Sequence, residues 1–328
     1  MKKKVLALWL CLTALALCAC GGGNTAQPDA NAESVTEQTD AESAAEQSEQ
    51  RDAQQAQEAA LQSEQPQSAE GETPDGERAY RAEELTLKIG DDDIYGVMYL
   101  PLEEKETYPT VILSHGFGGT ADTCKPYCEI FAANGYACYA LDFRGGGNNS
   151  RSSGSTTEMS VLTEAADLTA VLEQVRALDY VDESQVFLWG ESQGGFVSSY
   201  VAANRPDDVK ALILYYPAFV LQDDAREKYP NPNEIPEVED VWGTRLGAVY
   251  NLDAMSFDIY EVIGNYKGDV LIVHGDKDEV VPLSYSERAV TVYESANLVV
   301  FEGGGHGFWD RVDEAAAYSL EFLQAHTA

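Results

Sequence analysis

Few side chains in this 328-residue chain are equipped for nucleophilic chemistry, and their spacing narrows the choice. Ser192 stands inside Gly190-Glu191-Ser192-Gln193-Gly194. A neutral hydroxyl is a poor nucleophile, so Ser192 needs a base. The chain holds four histidines. His115 follows an apolar run, His274 closes another and reads as a satisfied structural imidazole, and His326 lies at a fraying chain end. His306 sits in Gly303-Gly304-Gly305-His306-Gly307, where an imidazole can swing freely, and is the expected general base. A third group must accept from the other ring N–H and stabilise the imidazolium. The loop after His274 offers Asp276, Asp278 and Glu279 for that role. The developing oxyanion needs two N–H donors. The residue after the nucleophile, Gln193, supplies one by geometry, and the loop His115-Gly116-Phe117-Gly118-Gly119 is placed to supply the other. Together these groups point to acyl transfer.

Such residues work only if the elements around them hold the positions. Val186 to Trp189 is an apolar run that reads as a buried strand, and Phe196 to Ala203 has helical periodicity. Gly-x-Ser-x-Gly between strand and helix is the setting of a nucleophile elbow, in which side chains at Gly190 or Gly194 would collide with their neighbours. Around it, Glu84–Ile89 and Ile94–Leu100 read as an antiparallel hairpin. Thr110–Ser114, Tyr136–Leu141, Ala211–Tyr215, Asp269–Val273 and Asn297–Phe301 read as strands. Thr123–Asn134, Val161–Leu178, Leu283–Glu294 and a last stretch to about Gln324 read as helices. Alternation of this kind implies a mostly parallel sheet with its reactive loops at the strand C-terminal ends. Residues 217–266 break the pattern with Pro217, Pro230, Pro232 and Pro236 and with Phe219, Tyr229, Trp242, Tyr250, Phe257, Tyr260 and Tyr266. They read as a cap over the site, whose aromatics either line an acyl pocket, Trp242 first among them, or form a small core of their own.

The combination of His115-Gly116-Phe117, Gly190-Glu191-Ser192-Gln193-Gly194-Gly195, His274-Gly275-x-x-Asp278-x-x-Val281-Pro282 and Gly305-His306-Gly307 resembles the α/β-hydrolase family, and within it a feruloyl/cinnamoyl-esterase-like branch. The resemblance covers residues 84 to 325. It implies an α/β-hydrolase fold: a mostly parallel central sheet flanked by helices, with the cap inserted after the strand that follows the elbow helix. It also selects Asp278 as the acid, in the order Ser192, Asp278, His306, and Phe117 as the second oxyanion donor. A short or aromatic acyl ester, small or linked to polysaccharide, is the implied substrate. Glu191 departs from the family, where many members carry His, and bears on substrate preference. A peptidase of the same fold and a non-catalytic surface-binding lipoprotein are the rival readings.

The chain ends and composition bound the rest. Met1-Lys2-Lys3-Lys4 followed by the apolar Val5–Leu17 has the form of a secretory signal. Its apolar run is too short for a permanent span. Leu17-Cys18-Ala19-Cys20-Gly21 resembles the lipobox of bacterial lipoproteins, with 1–19 removed and Cys20 lipidated. Cys18 is poorer, since Leu17 is not small. Residues 20–79 are acidic and nearly free of large apolar side chains, with Val35 and Leu61 the exceptions, so they are expected to be a disordered tether on the membrane. This leaves 80–328 as one catalytic domain outside the cytoplasm. A formal net charge of −35 argues against nucleic acid as a partner, since that binding rests on Lys and Arg neutralising phosphates. Cys124, Cys128 and Cys138 are expected to be buried thiols. No metal or cofactor is expected.

Overall fold

The structure is a computed structural model and describes residues 79–327. The signal segment 1–19, Cys20 and the tether up to residue 78 lie outside the described residues. Strand β1 (Tyr80–Glu84) opens the fold, followed by β2 (Leu87–Ile89), β3 (Asp92–Ile94) and β4 (Gly96–Pro101). Pattern alone predicts one hairpin here, but β1 pairs with β4 while β2 pairs with β3 as a separate two-stranded piece. The ladder divides because Leu87 and Ile94 turn into the core. Gln174 then holds the Lys88 backbone, its Oε1 accepting from the N–H at 3.3 Å and its Nε2 donating to the carbonyl at 2.7 Å.

The chain continues through β5 (Tyr108–Ser114), α1 (Ala121–Ala133), β6 (Ala137–Leu141), α2 (Val161–Arg176), β7 (Val181–Glu191), α3 (Ser192–Asn204) and β8 (Ala211–Tyr215). The insert follows as α4 (Leu221–Lys228), a 3₁₀ turn at Pro232–Glu234, the hairpin β9 (Val238–Val241) and β10 (Thr244–Gly247), α5 (Val249–Met255) and α6 (Ile259–Ile263). Then come β11 (Asp269–Gly275), α7 (Ser284–Val292), β12 (Ala296–Phe301) and α8 (Val312–His326). The eight-stranded sheet runs β1-β4-β6-β5-β7-β8-β11-β12. It is antiparallel at β1-β4-β6 and parallel from β6 onward.

Side chains of a strand alternate between faces, and here both faces are buried. Val111, Leu113, Phe187, Trp189, Ile213 and Val273 join one core with residues of α1 and α8. Ile112, Leu188, Leu212, Leu214 and Ile272 join the other with α2 and α3. Fully burying one such aliphatic side chain contributes about 1.5–3 kcal/mol. Ser160 starts α2 with a capping box: its Oγ accepts from Thr163 N–H at 3.2 Å, and Thr163 Oγ1 accepts from Ser160 N–H at 2.8 Å.

Two boundaries differ from the sequence reading in ways that matter for the site. Helix α3 begins at Ser192, four residues before the periodicity does, because Gly194-Gly195 masks its first turn. Helix α8 runs through His326 without fraying. That ring lies 2.7 Å from the Phe322 carbonyl and 3.0 Å from Asp269 Oδ2, which ties the helix end to the start of β11.

Candidate active site

Strand β7 ends at Glu191 and the chain reverses directly into α3, which forces Ser192 to φ 49°. For a residue with a Cβ, the left-handed region costs on the order of 1 kcal/mol. The turn is tight because β5 and α3 touch: a Cβ on Gly194 would overlap the carbonyl oxygens of Ser114 and His115. The side chain of Ser192 is thereby lifted to the C-terminal edge of the sheet.

His306 Nε2 lies 2.9 Å from Ser192 Oγ, and His306 Nδ1 lies 2.8 Å from Asp278 Oδ2. The loop after β11 supplies Asp278, and the loop after β12 supplies His306. Asp278 Oδ1 accepts from the N–H groups of Val280 at 2.9 Å and Val281 at 2.7 Å. Asp278 thereby closes a local turn with its own backbone. Asp276 Oδ1 instead accepts from Gly303 N–H at 2.7 Å, and Lys277 N–H donates to the Gly304 carbonyl at 2.8 Å, so the two loops are bonded to each other. The buried His274 has its Nε2 3.2 Å from Asp278 Oδ2 and 2.8 Å from the Val281 carbonyl, and its Nδ1 2.7 Å from Ser286 Oγ. Burial works to raise the Asp278 pKa, but His306 and His274 together outweigh it and hold the carboxyl well below the usual range. Asp278 is therefore an ionised acceptor.

The residues expected to bind an oxyanion flank Ser192. Glu191 gives α3 no side-chain cap, which leaves the first-turn N–H groups, Gln193 among them, for the space beside the hydroxyl. On the other side Gly116 packs so closely that a Cβ there would stand 3.1 Å from Ser192 Cβ, and Phe117 follows it. The Phe117 ring meets Trp242 edge-on at 5.3 Å and Tyr250 at 5.8 Å. Trp242, 39% exposed, sits at the tip of the β9–β10 hairpin with φ 50°. The insert thus reaches the site, and Trp242 lies over Phe117.

His115 is set apart from this line of bonds. Its Nδ1 is 2.7 Å from the Gly116 carbonyl and its Nε2 accepts from Phe143 N–H at 3.2 Å, while burial lowers its pKa. Cys124, Cys128 and Cys138 are free and buried. Three residues take contacts that the sequence reading did not assign to them. Tyr216, at φ 36°, stacks its ring 4.6 Å from that of His306 and donates its hydroxyl to Glu191 Oε2 at 2.7 Å. Glu164 and Tyr250 both bond the side chain of Gln193. Tyr250 was marked only as one of the insert's aromatics, Glu164 left a sign as an acid on the apolar stripe with Leu168, Val171 and Val175, and Tyr216 left none.

Comparison with known proteins agrees with this architecture. The ferulic-acid-bound structure of Est1E from Butyrivibrio proteoclasticus superposes with a TM-score of 0.67 at 26% identity, covering 74% of this chain and 98% of that one. The fold is that of the α/β-hydrolases. The α/β-hydrolase family described as serine aminopeptidase, S33, matches residues 105–237. The quorum-quenching protein AidA of Acinetobacter baumannii is 34% identical over 124 residues, 37% of this chain and 40% of that protein. Caffeoylshikimate esterase of Arabidopsis thaliana is 34% identical over 131 residues, 39% of this chain and 38% of that protein. The chain therefore spans about two fifths of the length of these two relatives. Within an α/β-hydrolase fold, Ser192 at the start of α3 meets His306 and Asp278 from two loops at one edge of the sheet, and the insert reaches Phe117 and Gln193 beside it.

Proposed function

We propose that this chain hydrolyses carboxylic esters through an acyl-enzyme on Ser192. The observation that carries the reading is the unbroken line of hydrogen bonds from Asp278 through His306 to Ser192, of 2.8 and 2.9 Å. Ser192 Oγ adds to the ester carbonyl carbon as His306 Nε2 takes its proton, and Asp278 stabilises the imidazolium. The N–H groups of Phe117 and Gln193 donate to the carbonyl oxygen as it gains charge. Collapse of the adduct expels the alcohol, which leaves with the proton from His306. Water then gives a proton to the same imidazole, attacks the acyl carbon and frees the acid, and Ser192 Oγ takes the proton back.

An aromatic or short acyl group suits the site best, with Trp242 against the substrate. In support, Phe117, Trp242 and Tyr250 form an edge-on cluster beside the nucleophile. The similarity to Est1E with ferulic acid and to a caffeoylshikimate esterase points the same way. A second reading, cleavage of an aminoacyl bond, is favoured by the family description that matches 105–237. We also place the protein on the outer side of a bacterial membrane, held by a lipid on Cys20.

The test is turnover of p-nitrophenyl acetate, p-nitrophenyl butyrate, methyl ferulate and an aminoacyl-p-nitroanilide by the protein and by Ser192→Ala. Ester turnover should fall by about 10⁴-fold or more in the variant. Cleavage of the anilide alone would move the chain to the peptidases, and silence on all four would favour a scaffold that only binds.

A further inference from the structure

Gln193 does more than follow the nucleophile, because its buried side-chain amide is bonded at both ends. Nε2 donates to Glu164 Oε2 at 2.8 Å, with Met159 Sδ at 3.6 Å, and Oε1 accepts from the Tyr250 hydroxyl at 2.8 Å. Glu164 rises from α2 below the elbow, and Tyr250 descends from α5 of the insert. The Tyr250 ring also packs edge-on against Phe117 at 5.8 Å. One residue of the insert therefore touches both residues whose N–H groups are assigned to the oxyanion, one by its hydroxyl and the other by its ring. α5 is itself fastened to the start of α2, where Ser160 Oγ donates to Asp253 Oδ2 at 2.5 Å.

An amide held by an acceptor on one side and a donor on the other has a single rotamer, and its backbone follows. Oxyanion donors act through fixed aim, and a misplacement on the scale of an ångström is costly. We propose that Tyr250 and Glu164 are positioning residues for the oxyanion hole: by clamping the Gln193 amide from opposite sides they fix its backbone N–H toward the reacting carbonyl. The hole is then complete only while the insert is seated, so the insert controls the rate of the chemical step as well as access. The inference rests on the ester-hydrolase reading of Ser192.

Tyr250→Phe removes the hydroxyl and leaves the ring on Phe117. In the full chain, kcat and KM are measured with p-nitrophenyl acetate, together with inhibition by an alkyl trifluoromethyl ketone, whose serine adduct places an oxyanion in the hole. The variant should lose about tenfold in kcat and a similar factor in ketone affinity, with KM unchanged. Glu164→Leu should reproduce the loss, and Glu164→Gln, which keeps an acceptor for Nε2, should restore activity. Circular dichroism checks that each variant is folded. Wild-type kcat and ketone affinity in Tyr250→Phe would overturn the clamp, as would a change confined to KM or a Glu164→Gln as impaired as Glu164→Leu. If the unaltered protein turns over no ester, the reading of Ser192 fails instead, which is a different result from an active protein indifferent to Tyr250.

Discussion

Glu164 illustrates how much a single side chain can make stability depend on pH. Burial pushes its carboxyl up to about 8 from an ordinary 4.5, against the lowering effect of the hydrogen bond from Gln193. The folded state therefore holds a proton that the unfolded chain has already released. The stability this proton contributes is fully present below pH 4.5 and is lost as pH rises through 8. The loss is on the order of 5 kcal/mol. Glu164→Gln has no proton to lose, so its urea-unfolding free energy should gain on that of the wild type by several kcal/mol between pH 5 and pH 8. Parallel pH profiles for the two proteins would refute this. Ser192 and His306 were legible in the sequence because glycine spacing announces them: the elbow leaves no room for a side chain at Gly190 or Gly194, and His306 follows Gly303-Gly304-Gly305. Asp278 needed the pattern His274-Gly275-x-x-Asp278 to be told from Asp276 and Glu279. Tyr250 was legible only as one of the insert's seven aromatics, since nothing in its neighbourhood sets it apart from the other six.

Among the elements, α2 has its start anchored twice by one hydroxyl. Ser160 Oγ accepts the Thr163 N–H of its own helix and donates to Asp253 of α5. Ser160→Ala removes the cap and leaves the contact to the half-buried Asp253 carboxylate unmade. It should cost about 1–2 kcal/mol, and calorimetry should show Tm lower by about 2–6 °C. An unchanged Tm would mean that water replaces both bonds. Buried strands such as β5 and β8 were legible because continuous apolar runs have few other uses. The β9–β10 hairpin was not. The sequences Val-Glu-Asp-Val and Thr-Arg-Leu-Gly are too short to show an alternation of apolar and polar residues, although β10 buries Thr244, Leu246 and Gly247. Its turn places Trp242 at positive φ, where Asn, Asp or Gly would have given the signal.

On the scale of the molecule, a formal net charge of −35 sets how the protein meets a membrane. An anionic lipid surface repels such a chain, so the attachment proposed above rests on a lipid at Cys20 and not on surface attraction. Cys20→Ala should move the protein from the membrane to the soluble fraction, while a high-salt wash should leave the wild type in place. A variant that still pellets with membranes would remove the anchor proposal and leave the hydrolase reading untouched. Fold class was legible at this scale because strand–helix alternation leaves little choice but a parallel sheet covered on both faces.

The bonds from Asp276 to Gly303 and from Lys277 to Gly304 join the acid loop to the base loop, and both loops hang from the neighbouring strands β11 and β12. The proposed acid and base, Asp278 and His306, are therefore carried by one bonded pair of loops, while Ser192 belongs to another block made of β7 and α3. The imidazole and the carboxylate are thus held to each other through loop-to-loop bonds in which the strand leading to Ser192 takes no part.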